Sequence, residues 1–219
     1  MKKLTTASIA LVCVATFLIA AQAVTSKNIV GYNKTVLKGG LQLLGMSFIK
    51  TNATPETIFG DRLPVGSKVY LYNGDGYSIA EYTENFSGDL FWSGSFEIGQ
   101  GVAYWVEVPA GTMTNLISGE VETADAVTNT VVPALQLFAF PYPVEMKVED
   151  LGFTPTVGDK IYYYNETGGY NISEYTKNFS GDLFWSNSET MIPVGMGFWY
   201  ESHASSNTVW IAKRPFSVD

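Results

Sequence analysis

The sequence predicts an all-β protein of two tandem homologous domains, each a β-sandwich or open-barrel-like unit of about six strands. Three observations carry this expectation. A long segment of the chain is repeated within it. Short alternating runs are separated by Gly, Asn and Asp. Charged residues are only 16% of the chain, while it holds 21 Gly, 13 Tyr, 13 Phe and 5 Trp, a composition suited to half-buried strands outside the cell.

The chain opens MKKLTTASIALVCVATFLIAAQAVTSK. Lys2 and Lys3 form a basic n-region, Ile9 to Ala20 an apolar h-region, and Ala21-Gln22-Ala23 a small-x-small site, so residues 1–23 are expected to be a signal peptide cleaved after Ala23. The apolar run is shorter than the ~20 residues a bilayer span requires. The short basic start and the A-x-A site suggest bacterial-type export, to the cell surface or medium, with no membrane insertion after cleavage. Cys13 leaves with the signal, so a mature chain without disulfides must be held by its core. Loss of Lys2 and Lys3 leaves 11 basic against 21 acidic residues, a net charge of −10. That balance disfavours nucleic acid and anionic membranes as partners.

The repeat sets the domain boundaries. VGSKVYLYNGDGYSIAEYTENFSGDLFWS at 65–93 matches VGDKIYYYNETGGYNISEYTKNFSGDLFWS at 157–186. LQLLGMSF at 41–48 corresponds to LQLFAFPY at 135–142, and GQGVAYWVE at 99–107 to GMGFWYE at 195–201. The expected domains are therefore 24–119 and 120–219.

Within each unit, LQLLGMSF and LQLFAFPY read as opening strands. In SKVYLYN, Val69 and Leu71 point one way and Lys68, Tyr70 and Tyr72 the other. Ile161 and Tyr163 against Lys160, Tyr162 and Tyr164 repeat this pattern. NGDG and NETGG supply residues that tolerate the positive φ of a hairpin turn. YSIAEYT and YNISEYT return, LFWS follows, and an aromatic strand after Gly-x-Gly leads to TMTNLIS or NTVWIA. The only helix signal is TPETIFGDRL at 54–63, with Thr54 as cap and Pro55 at the first helical position. Its counterpart, VEMKVEDLGFTPT, suits a single turn.

The nonapeptide NFSGDLFWS stands at 85–93 and again at 178–186. Across 77–93 against 170–186, 14 of 17 positions are identical, but across 41–48 against 135–142 only 3 of 8 are. Three readings of this constancy stay open. In the first, Phe86, Phe91 and Trp92 anchor a loop over a sheet, while Asp89 fixes a turn. In the second, Asp89 with Trp92 and Asp182 with Trp185 form two equivalent sugar sites, rings stacking on C–H faces and carboxylates accepting hydroxyls. In the third, Phe91 and Phe184 join these residues in contacts with another copy of the chain.

Other constellations are weaker. YNGDGY at 72–77 faintly suggests a calcium loop, but the second copy has Glu166 and Thr167 where the first has Gly74 and Asp75, and one side-chain carboxylate does not fill a calcium shell of six to eight oxygens. Glu81 and Glu174 occupy equivalent places in different units. His203 is the only histidine and has no Cys or His partner for a metal site, nor any sign of a catalytic triad. No metal or other cofactor is expected. The sequons at Asn33, Asn52, Asn85, Asn165, Asn171 and Asn178 matter only with eukaryotic glycosylation.

The marks LQLLGMSF, GSKVYLYN, DGY, LFW and GQGVAYW, repeated as LQLFAFPY, GDKIYYYN, GGY, LFW and GMGFW, resemble a repeat of secreted proteins from Verrucomicrobia and related bacteria and some exported archaeal proteins. The resemblance covers nearly the whole mature chain. It implies a fold and brings no catalytic residues with it. The leading expectation is a secreted, non-enzymatic structural or surface-assembly subunit that associates with itself as a homo-oligomer or polymer. The alternative is a polysaccharide-binding module using the aromatic–Asp loops. A glycosidase would need two carboxylates about 5–10 Å apart across one cleft.

Overall fold

The computed structural model describes residues 29–165 and 168–218. The expected signal peptide, with its expected cleavage after Ala23, lies outside the described residues. In chain order the elements are β1 (Val30–Gly45), α1 (Pro55–Phe59), β2 (Lys68–Tyr72), β3 (Tyr77–Glu84), β4 (Leu90–Trp92), β5 (Ala103–Glu120), β6 (Ala126–Val131) and β7 (Leu135–Ala139). They continue as β8 (Met146–Lys147), a 3₁₀ turn (Val148–Asp150), β9 (Lys160–Tyr164), β10 (Tyr170–Lys177), β11 (Leu183–Trp185), β12 (Met191–Ile192), β13 (Gly197–Glu201) and β14 (Thr208–Lys213). The fold is all-β with antiparallel sheets, and among the described residues none closes into a barrel.

The two five-stranded sheets have the same order. β1-β5-β2-β3-β4 in the first half corresponds to β7-β13-β9-β10-β11 in the second. The long β1 and β5 are interrupted in the second half, where β6 pairs with β14 as a separate ribbon. One side chain stitches this bend in both halves. Gln42 accepts from the Lys38 amide (2.9 Å) and donates to the Lys38 carbonyl (2.6 Å) at a bulge where Gly40 has φ 102°. Gln136 makes the same two bonds to Val132, both at 3.2 Å.

Thr54 caps α1 with a capping box and Pro55 begins it, as the sequence indicates. Ile58 and Phe59 carry α1 into the first core, beside Leu44, Val69 and Tyr104. The second core is mainly aromatic. Phe153 stacks on Tyr200 (4.0 Å, 7°) and Trp210 (4.7 Å, 9°), and the Trp210 indole N–H donates to the Leu151 carbonyl at 2.7 Å.

A third cluster joins the halves: Leu43, Ala103, Trp105, Ala139 and Trp199, flanked by Tyr70, Tyr72, Tyr162 and Tyr164. Its contacts are reciprocal. The Gly45 amide donates to the Gly195 carbonyl at 2.8 Å, and the equivalent Ala139 amide donates to the Gly101 carbonyl at 2.8 Å. Trp105 meets Tyr164 edge-on at 5.1 Å, and Trp199 meets Tyr72 likewise at 5.1 Å. Such exchange of equivalent partners defines a pseudo-two-fold, isologous contact. On its axis residues meet their own counterparts, Gly45 against Ala139 and Ala103 against Gly197. A Cβ added to either glycine would stand 2.4 Å from the opposing alanine Cβ.

Two sequence correspondences shift. Trp105 lies opposite Tyr70 and Trp199 opposite Tyr162, so the Gly-x-Gly marks do not superpose. Gly101 (φ 77°) matches Gly195 (φ 73°) instead. β1 also begins at Val30 rather than near Leu41.

Candidate functional site

The repeated loop is built by its asparagine. Asn85 Oδ1 accepts from the amides of Ser87 (2.8 Å) and Asp89 (2.9 Å), and Asn85 Nδ2 donates to Asp89 Oδ2 (3.0 Å). The Asn85 amide donates to the Asp89 carbonyl (3.0 Å), and Gly88 takes φ 88° to close the turn. Asn178 repeats the bonds to Asp182, at 2.9 Å from the amide and 2.9 Å to the carboxylate, with Gly181 at φ 96°. Asp89 and Asp182 thus brace their turns through a side-chain amide rather than by accepting loop amides.

The tryptophans are placed differently from a stacking platform. In β4, Phe91 and Trp92 are adjacent and point to opposite faces. Trp92 lies opposite Tyr82, packs on Phe59 (6.0 Å) and Tyr82 (5.4 Å), and donates its indole N–H to the Gly60 carbonyl (2.9 Å). Trp185 is 8% exposed against Tyr175 and Tyr200. The pairing of an open Trp face with Asp89 or Asp182 is therefore corrected: both rings turn toward the cores, because strand alternation sends them there. What the loops present outward is apolar. Phe86 and Phe179 are fully exposed at the tips, with Leu90, Phe91, Leu183 and Phe184 about half exposed beside them.

A second feature, absent from the sequence reading, lies on the sheet faces that meet at the pseudo-two-fold. Rings connect across it in two series, Tyr70–Tyr77–Tyr72–Trp199 and Tyr162–Tyr170–Tyr164–Trp105. Tyr70 donates its hydroxyl to Glu107, and Tyr162 donates to Glu201. Burial first, and then the adjacent carboxylate, pushes both hydroxyls up to about 12. The available signal was the strand pattern itself: large aromatic residues opposite the Val69/Leu71 and Ile161/Tyr163 faces mean that both sides of these strands are covered.

The other ionisable cluster is structural. Asp159 is buried and accepts from the Tyr200 hydroxyl (2.5 Å), the His203 amide (2.6 Å) and the Thr156 amide (2.9 Å). Burial and this carboxylate push the Tyr200 hydroxyl far up. His203 Nδ1 is 3.9 Å from Asp159 and Nε2 is 3.7 Å from Glu201. Among the described residues, no three His, Cys, Asp or Glu side chains group to hold a metal ion. Compared with known proteins, the chain matches no family model, no curated protein and no solved structure.

Proposed function

We propose that the protein is a secreted, non-enzymatic structural subunit that assembles with copies of itself at the cell surface or in the extracellular matrix. The observation that carries this reading is the pair of identical, rigidly braced loops, each with a fully exposed phenylalanine at its tip. Exposed contiguous apolar side chains on a soluble chain mark contact surfaces. Their occurrence twice, in the same loop conformation, makes the chain bivalent. Because every chain has two such loops, pairing one of them with the same loop of another copy leaves the second free to recruit a further copy, which is how a chain of copies would extend. Another copy is a partner that presents a matching surface to both loops.

The sugar-binding reading draws less support here, because the Trp92 and Trp185 faces that it needs are turned inward. Electron microscopy of the secreted or surface-sheared fraction tests the assembly reading. Filaments or a lattice containing this chain support it, whereas dispersed single particles in that fraction contradict it.

A further inference from the structure

We infer that each half carries an aromatic cage for an alkylated ammonium group, a site that goes beyond the assembly role. In the second half a cleft of about 470 Å³ is lined by Leu135, Tyr162, Tyr170, Trp199 and Glu201. Tyr162 and Tyr170 stand nearly perpendicular, at 85° with centroids 6.2 Å apart. Trp199 is the most buried of the lining rings, and the Tyr162 hydroxyl orients the Glu201 carboxylate. Tyr70, Tyr77, Trp105 and Glu107 repeat the arrangement in the first half, where Tyr70 and Tyr77 stand at 85° and 6.3 Å.

The chemistry of the walls selects the ligand class. A sugar ring stacks on one open aromatic plane, and here half-buried Tyr162 and exposed Tyr170, like Tyr70 and Tyr77, form a corner instead. Rings at right angles offer π faces to a compact group from two sides, which suits a cation. The charge agrees with this. Lys160 lies across the strands from both Glu174 and Glu201, leaving one carboxylate in excess. Lys68 lies likewise between Glu81 and Glu107, paired with Glu81 at 3.9 Å. His203 adjoins Glu201 in the second half only. A quaternary or methylated ammonium sheds water easily, fits an apolar corner and gains from a carboxylate at its rim. A compact, strongly hydrated cation has little to gain from such walls.

The test is calorimetric titration of the full signal-cleaved chain with tetramethylammonium and with choline, beside choline's neutral isostere in which carbon replaces nitrogen. Saturable binding at two sites per chain is expected, with the isostere about tenfold weaker. Tyr170→Ala should remove one site, and Tyr77→Ala with Tyr170→Ala both. Glu107→Gln with Glu201→Gln, which leaves every ring in place, should weaken the cation and spare the isostere. Equal affinity for the isostere, absence of saturable cation binding, or binding unchanged in the paired Glu variant overturns the proposal. Co-sedimentation with phosphatidylcholine vesicles would assign the group to a lipid headgroup. Cation binding without co-sedimentation would assign it to a free solute or a modified side chain, and either supports the cage.

Discussion

At the scale of single residues, the two halves differ most informatively where Asp159 replaces Ser67. Both are buried, but Asp159 takes three hydrogen bonds whereas the Ser67 hydroxyl has no partner among the described residues. Asp159→Ala should strand the Tyr200 hydroxyl and two amides and cost about 3 kcal/mol. Ser67→Ala removes a polar atom that gains nothing from burial and should be neutral or slightly stabilising. Urea unfolding of both variants checks the contrast. The raised hydroxyls predict an alkaline limit. Tyr70 and Tyr162 titrate near 12 when folded, above the usual value of 10, so their contribution is intact below about pH 10 and is lost as pH rises toward 12. Denaturation midpoints should fall across that window, and less steeply for Tyr70→Phe with Tyr162→Phe. The sequence showed which faces these tyrosines occupy. It did not show the glutamates beneath them, because Tyr70 meets Glu107 only after β2 and β5 have paired.

At the scale of elements, the axis of the pseudo-two-fold carries a size rule. Each on-axis pair is one glycine and one alanine, because two alanines would bring Cβ atoms to 2.4 Å. Gly197→Ala should destabilise by about 2–3 kcal/mol. Adding Ala103→Gly should recover part of the loss, the remainder reflecting the Leu44 carbonyl 2.8 Å from the added Cβ. Thermal unfolding of the single and double variants measures the coupling. The helix α1, the hairpin β2–β3 and the turn after β3 were legible because caps, alternation and turn residues are local signals. The first part of β1 was not. There Asn33 and Thr35 point inward, with Asn33 donating to the Val194 carbonyl of the other half at 3.2 Å, while Tyr32 and Val36 face out. That inverts the usual pattern, and only the packing of the two halves explains it. The inward turn of Trp92 was hidden for a related reason: LFW places two large rings on opposite faces, and the sequence does not say which face meets the core.

At the scale of the whole molecule, duplication has produced two outcomes from one unit. Equivalent sheet faces are consumed in the contact between halves, whereas equivalent loops remain outside with Phe86 and Phe179 exposed. On the proposed function, this leftover pair makes the chain a bivalent link. The most direct test is sedimentation velocity of the chain from Val24 onward over a range of concentrations, with Phe86→Ser, Phe179→Ser and the double variant in parallel. The unaltered chain is expected to grow into long oligomers, each single variant to stop at the dimer, and the double variant to stay monomeric. An unaltered chain that is monomeric throughout, or variants that assemble as it does, would contradict the account.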